Sequence, residues 1–222
     1  FQLNYLWKFF VGKTQIFQFG LPGASVIKLV NIKKSSGFQE QLDNLNDVFL
    51  NNAYSNQFIW QDAKATFEYN NAKRKFRSGK KSFLGAAISY NASFDAAGNI
   101  LYGLRNTQDT LNGQYQFLDL TYAQFIRLDN RYVLAKKINS NSSIHFKAEA
   151  GAGIPYGNTN TSLPYDYSFY AGGSNDNRGW RARSLGPGAY KYHLDTNRTL
   201  TQIGDVRVGA SIEYRFSLGS VL

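Results

Sequence analysis

From Gln202 to Leu218 the side chains alternate with a period of two. Asp205, Arg207, Gly209, Ser211, Glu213 and Arg215 fall on one face, and Val206, Val208, Ala210, Ile212, Tyr214 and Phe216 on the other. A helix would scatter both sets around its circumference, so the segment reads as a strand with one polar and one apolar side. It exceeds the roughly 9–11 residues that a tilted strand needs to cross the hydrocarbon. Its polar face carries charges of both signs, which a water-filled lumen accommodates. A basic side chain facing lipid would cost about 2–4 kcal/mol at mid-bilayer.

Three further segments share this plan. In Ser143–Ile154, His145, Lys147, Glu149, Gly151 and Gly153 oppose Ile144, Phe146, Ala148, Ala150 and Ala152. In Ser82–Ser93, Gly85, Ala87, Ser89 and Asn91 oppose Leu84, Ala86, Ile88 and Tyr90. In Asp62–Asn70, Asp62, Lys64, Thr66, Glu68 and Asn70 oppose Ala63, Ala65, Phe67 and Tyr69. Gln116–Leu128 alternates less cleanly, with Leu118, Leu120, Tyr122, Ile126 and Leu128 outward and Asp119, Thr121 and Arg127 inward. Phe1–Phe9 and Ala24–Ile32 add two strands, blurred by Pro22 and nearby glycines, for about seven in all.

The connections differ in length. Lys73–Lys81 and Lys136–Ser142 are short, whereas Lys33–Tyr54, Phe94–Gly113 and Tyr156–Thr201 are long. Outer-membrane barrels are arranged this way, with the short turns in the periplasm. Phe38, Leu42, Leu45 and Phe49 have helical spacing within the first long connection.

Composition agrees. Aromatic residues make up 16% of the 222, yet mean hydropathy is -0.39, so apolar and polar residues are interleaved. No run approaches the roughly 18–20 apolar residues of a spanning helix, and a membrane passage must therefore be a closed barrel. A soluble β-sandwich also alternates, but strand length, aromatic content and mixed charges along one face favour the barrel. The formal charge of +10 is spread over strands and turns. That dispersal argues against nucleic acid and suits acidic lipid headgroups. Cysteine is absent, which removes disulfide and thiolate chemistry from this chain. The chain opens on Phe1 inside a strand pattern, so any leader peptide is expected upstream of it.

Between the last two clear strands lies Phe169–Gly188, F-Y-A-G-G-S-N-D-N-R-G-W-R-A-R-S-L-G-P-G, too polar and glycine-rich for a core. Gly172, Gly173 and Gly179 offer sharp backbone turns. Arg178 offers a planar fork that a carboxylate can meet with two hydrogen bonds. The series G-G, R-G-W with Trp180, then an amphipathic strand containing I-E-Y-R-F, resembles the lumen loop of the BamA/TamA superfamily of outer-membrane proteins. R-A-R-S-L-G-P-G resembles the version in Bacteroidota-type TamA-like members, and Trp180 stands where Phe or Tyr is commoner.

The resemblance implies an all-β, antiparallel transmembrane barrel of about sixteen strands with a long loop folded into its lumen. Residues 1–222 would be a middle portion of that one domain, from about the sixth strand to the twelfth. The periplasmic domains and remaining strands would then lie outside this chain. It implies that Arg178 is anchored to Glu213, on the inward face of the strand after the loop, and so lies beside it instead of in bulk solvent. It implies a bacterial outer-membrane insertase or translocase that uses no cofactor, with outer-membrane lipids, client outer-membrane proteins and periplasmic or accessory subunits as partners. An export pore of the two-partner secretion type and a passive porin are the alternatives.

Catalysis finds little support. His145 and His193 are the only histidines, and neither G-x-S-x-G nor a phosphate-binding glycine loop occurs. No ligand cluster suggests a metal. His145 reads as a lumen histidine in preference to half of a lipase-like Ser/His pair, and no enzyme activity is expected.

Overall fold

The computed structural model describes residues 2–3, 5–20, 22–27, 35–45, 57–71, 86–111, 113–159, 162–174, 176–186 and 202–218. The expected turn at 73–81, Phe49, His193 and the Pro187–Gly188 end of the loop motif lie outside them. Among the described residues the strands are β1 Gln2–Leu3, β2 Leu6–Val11, β3 Gln15–Gly20, β4 Gly23–Ile27, β5 Gln57–Asn70, β6 Ala86–Ala97, β7 Thr110–Leu111, β8 Gln114–Phe117, β9 Leu120–Thr121, β10 Phe125–Lys137, β11 Ser142–Pro155 and β12 Val206–Phe216. Helix α1 covers Ser36–Leu45 and α2 covers Asn99–Gly103.

All but β7–β9 form one nine-stranded antiparallel sheet. β1 and β2 are successive parts of one strand, and so are β3 and β4, because β5 pairs along both of the latter. Pro22, which has no N–H for the ladder, stands between β3 and β4. The sheet is thus a meander of seven strands in chain order, with β1/β2 at one edge and β12 at the other.

Its two faces belong to different solvents. One row crossing the sheet reads Lys64, Asp95, Arg127, Gly153; the adjacent row on the other face reads Ala65, Phe94, Leu128, Ala152. Tyr69, Tyr90 and Tyr132 form a further row on the apolar face. On β12, Val208 is 82% exposed and Ile212 75%. Apolar side chains left bare along a whole face are the mark of a lipid-facing wall. Among the described residues no helix is long and apolar enough to cross a membrane, so the crossing falls to the strands.

Three expectations need correcting. Gln116–Leu128 is not one strand: Leu118 and Asp119 have φ of 52° and 60° and close a tight turn between β8 and β9. The spanning strand is β10, hidden because Asn130 interrupts the outward apolar set and Val133 the inward polar one. At the N-terminal end, β3 lies between the two strands expected at Phe1–Phe9 and Ala24–Ile32, so the second strand starts earlier than expected. Asp62 leaves the inward set because a bulge between Gln61 and Ala63 shifts the register. Gln61 takes the inward place and donates to Asp95 Oδ1 at 2.7 Å. Asp62 instead accepts the N–H groups of Asn99 (2.6 Å) and Ile100 (3.2 Å), capping α2. The helix anticipated around Phe38 is present, with Ser35 Oγ accepting the Phe38 N–H at 3.2 Å.

Two long connections dress the end of the sheet opposite the short turn at 138–141. Residues 98–124, containing α2 and β7–β9, form a flap. The described residues of 156–205 form a plug. They take opposite sides of β5. Phe58 packs with Leu101 and Tyr122 of the flap, whereas its neighbour Ile59 packs with Leu163 and Phe169 of the plug. Gly98 starts the flap at φ 78°, and a Cβ there would run into the Ala123 carbonyl oxygen. Gly98→Ala is therefore expected to cost about 1–3 kcal/mol. Limited proteolysis of the folded barrel in detergent should show faster cleavage within residues 99–122.

Candidate functional site

The plug is seated on hollows left by glycine. Gly151 and Gly153 face inward on β11, and a Cβ on either would clash with the Phe169 ring or the Leu163 side chain. Phe169 and Leu163 are buried there. The Phe169 backbone pairs with Gly204 through two hydrogen bonds of 2.8 and 2.9 Å, so the plug's two limbs meet over the wall. Asp205 Oδ1 accepts the Leu163 N–H at 3.0 Å, and the Asp205 carbonyl accepts the Gly153 N–H at 2.8 Å.

Arg127 of β10 adds a second fastening. Its Nε donates to the Tyr167 carbonyl at 3.0 Å, and its guanidinium carbon lies 4.2 Å from the Phe169 ring centroid. Asp129, at 3.1 Å, and Asp95, at 3.7 Å, balance its charge. Burial, helped by Asp95 and Asp166, pushes the Tyr167 phenol up to about 12, so it stays neutral. Nearer the root, Asn158 bonds the carbonyls of Tyr115 and Tyr122, and its N–H donates to Gln124 Oε1, tying plug to flap.

The plug tip is folded by its glycine pair. Gly172 and Gly173 have φ of 91° and 101°, which L side chains rarely adopt. The Gly172 N–H donates to Asp176 Oδ2 at 2.9 Å, and the Gly173 N–H to the Trp180 carbonyl at 2.9 Å. Asp176 thereby turns to the wall. Its Oδ1 lies 3.1 Å from Arg207 Nη2 on β12 and 3.7 Å from Lys147 Nζ on β11. Both cations also bind Glu149, at 2.8 Å and 3.1 Å, and Arg131 approaches the same carboxylate at 3.4 Å. The Glu149 side chain is only 12% exposed, so the carboxylate at the centre of this network is shielded from bulk water.

Of the residues singled out in the sequence, Gly172, Gly173 and Trp180 meet in this tip. Gly179 has no steric need for glycine, since a Cβ would touch nothing within 4 Å. Arg178 is exposed, and its Nε donates to the Ser174 carbonyl at 3.2 Å. Glu213 pairs at 2.7 Å with Arg215, two residues along the same strand face and within reach without crossing the lumen. The direct Arg178–Glu213 contact is therefore not made, although both line one cleft of about 420 Å³. His145 lies in that cleft, opposite Glu213 in register and 3.1 Å from Ser143 Oγ. The fastening has the opposite polarity to the expected one: a loop carboxylate on wall cations. Asp176 sits between G-G and R-G, and Arg207, Lys147 and Glu149 all belong to the inward sets, so the components were visible but not their pairing.

A sheet apolar on one face and charged on the other, with a long connection stapled to the charged face, defines part of a plugged transmembrane β-barrel. Residues 26–221 match the Omp85 superfamily domain, and the chain belongs to that superfamily. Membership brings a kind of function, insertion or translocation of proteins at the bacterial outer membrane. No curated protein matches the chain significantly.

Asp176→Asn should weaken the tip by about 1–2 kcal/mol, a factor of roughly 5–30 in the released population. Trypsin cleavage of the loop should accelerate accordingly, while Arg178→Ala stays within about twofold of the parent.

Burial raises the Asp205 carboxyl above its ordinary value, against the opposing hydrogen bond from Leu163. The docked plug thus holds this proton more tightly than the released one. The contribution is complete below the ordinary carboxylate range and is lost as pH rises through the raised value. Asp205→Asn keeps the acceptor for Leu163 and should abolish that pH dependence of loop cleavage.

Proposed function

We propose that residues 1–222 are the middle, plug-bearing strands of a BamA/TamA-type insertase, nearest the Bacteroidota-type TamA-like proteins, in one barrel with further strands and periplasmic domains. The observation that carries this reading is the stapling of the plug's described residues to the lumen wall through Phe169, Leu163, Arg127 and Asp176. A passive porin needs an open, charged channel. Here the lumen is occupied, and the work falls on the wall and its surroundings instead of on a conduit.

In this reading the protein is not an enzyme and needs no cofactor. Its partners are client outer-membrane proteins, outer-membrane lipids and periplasmic or accessory subunits. Arg178 and Glu213 face the same cleft as a second, movable contact that forms when Arg215 releases the carboxylate. Export of a dedicated substrate is the second reading, favoured by the charged clefts of about 450 and 420 Å³ that remain along the wall.

The test uses the full-length protein in liposomes with an unfolded outer-membrane client. Folding, read by heat-modifiable migration, should run about tenfold faster than in empty liposomes. Large, steady single-channel conductance without acceleration would instead support a conduit. Asp176→Asn should raise the frequency of conducting events.

A further inference from the structure

The flap stands on the lipid side of the wall. Ile59 and Gln61 of β5 face the lumen, where Ile59 lies under the plug and Gln61 bonds Asp95. The alternate residues Phe58 and Trp60 face outward and are covered by flap residues Leu101, Tyr102, Tyr115 and Phe117. Height on the wall can be judged from β10. From Lys136, outward and near the short turn, to Ile126 is ten residues, about 33 Å along the strand and about 25 Å once tilted. That is the height of an outer-membrane barrel's apolar band. The flap begins beside Ile126, so its outward residues lie at the far boundary of the apolar band, where acyl chains meet headgroups.

Its free surface carries four large apolar side chains beside the polar Asn106, Thr107, Asp109, Thr110 and Asp119. Ile100 is 47% exposed, Leu104 57%, Leu111 52% and Leu118 75%. Leu118 is held at φ 52° in the β8–β9 turn, a conformation costly for a residue with a branched side chain and no polar atom to bond the backbone. Strain of this kind persists where surrounding structure imposes it, and here it presents leucine at a turn tip. Beneath this surface, Tyr122 is 2% exposed and its hydroxyl has no hydrogen-bond partner. Trp60 Nε1 and Gln108 Oε1 are also buried without one. Three of the four such atoms among the described residues therefore cluster in or under the flap. Arg105 stacks 4.8 Å from the Tyr102 ring centroid, placing a cation beside the aliphatic patch.

We propose that residues 98–122 are a membrane-seated flap, with Leu104 and Leu118 immersed in the acyl chains of the outer leaflet and Arg105 at headgroup depth. The partner is a lipid surface. Continuity with the outward band of Phe94, Ile126 and Leu128 favours it over a protein. The inference rests on the barrel lying in the outer membrane and is independent of what the barrel inserts or exports.

Residues 1–222 contain no cysteine, so once any cysteine elsewhere in the full-length protein is replaced by serine, Leu104→Cys, Leu118→Cys and, as an aqueous reference, Ser140→Cys each carry one nitroxide label. The full-length protein is reconstituted into phosphatidylcholine/phosphatidylglycerol vesicles, and heat-modifiable migration verifies folding of each variant. Collision rates are measured with oxygen, which concentrates in acyl chains, and with a nickel chelate, which stays in water. The oxygen-to-nickel ratio at positions 104 and 118 should exceed that at 140 by about tenfold. Ratios equal to that at Ser140 would overturn the proposal. Low collision with both reagents would also overturn it, in favour of a protein covering the flap.

Discussion

A strand that crosses a membrane inside a barrel wall has a different solvent on each side, and this constraint orders everything else in the molecule. The backbone must be satisfied by its neighbours, because lipid offers no partner. The side chains must then sort residue by residue. β12 obeys almost without exception, and the register carries the division across the sheet, from Ala65 and Phe94 to Leu128 and Ala152 on one face and from Lys64 and Asp95 to Arg127 on the other. A slip of one residue would put a row of charges into hydrocarbon. Mixed charge along the inner face raises the penalty for such a slip, and so helps to hold the register as well as to line a wet interior.

Once the inner face is committed to charge, a loop can be held there by two means. One is steric: Gly151 and Gly153 remove side chains from the wall so that Phe169 and Leu163 can lie against the backbone. The other is electrostatic: Arg207 and Lys147 are shared between Glu149 of the wall and Asp176 of the loop. The wall has paired its own cations already, so Asp176 joins an existing network instead of creating one. Removing the loop acid leaves Arg207 and Lys147 with Glu149, which makes the tip releasable without stranding a buried charge.

The strands with strict alternation were legible from sequence, faces included, because lipid on one side and water on the other leave a period of two that no helix produces. β10 was not, since Asn130 turns outward, where its Oδ1 accepts a hydrogen bond from Tyr90 at 2.7 Å, and Val133 turns inward. Asp62 was misplaced because a bulge inverts one position and leaves no trace in composition. At the site, the glycine pair and the loop's lumen position could be read. The partner of Arg178 could not, because Arg215 lies two residues from Glu213 and local reach decides such a competition. Asp176 was overlooked for a related reason: which acid meets which base depends on how the tip folds, and two left-handed glycines set that fold.

The end of β5 carries the plug on one side, through Ile59, and the flap on the other, through Phe58 and Trp60. Consecutive residues of a paired strand send their side chains to opposite faces, so one short stretch of backbone foots both. A substitution that displaces this stretch of β5 would therefore unsettle plug and flap together.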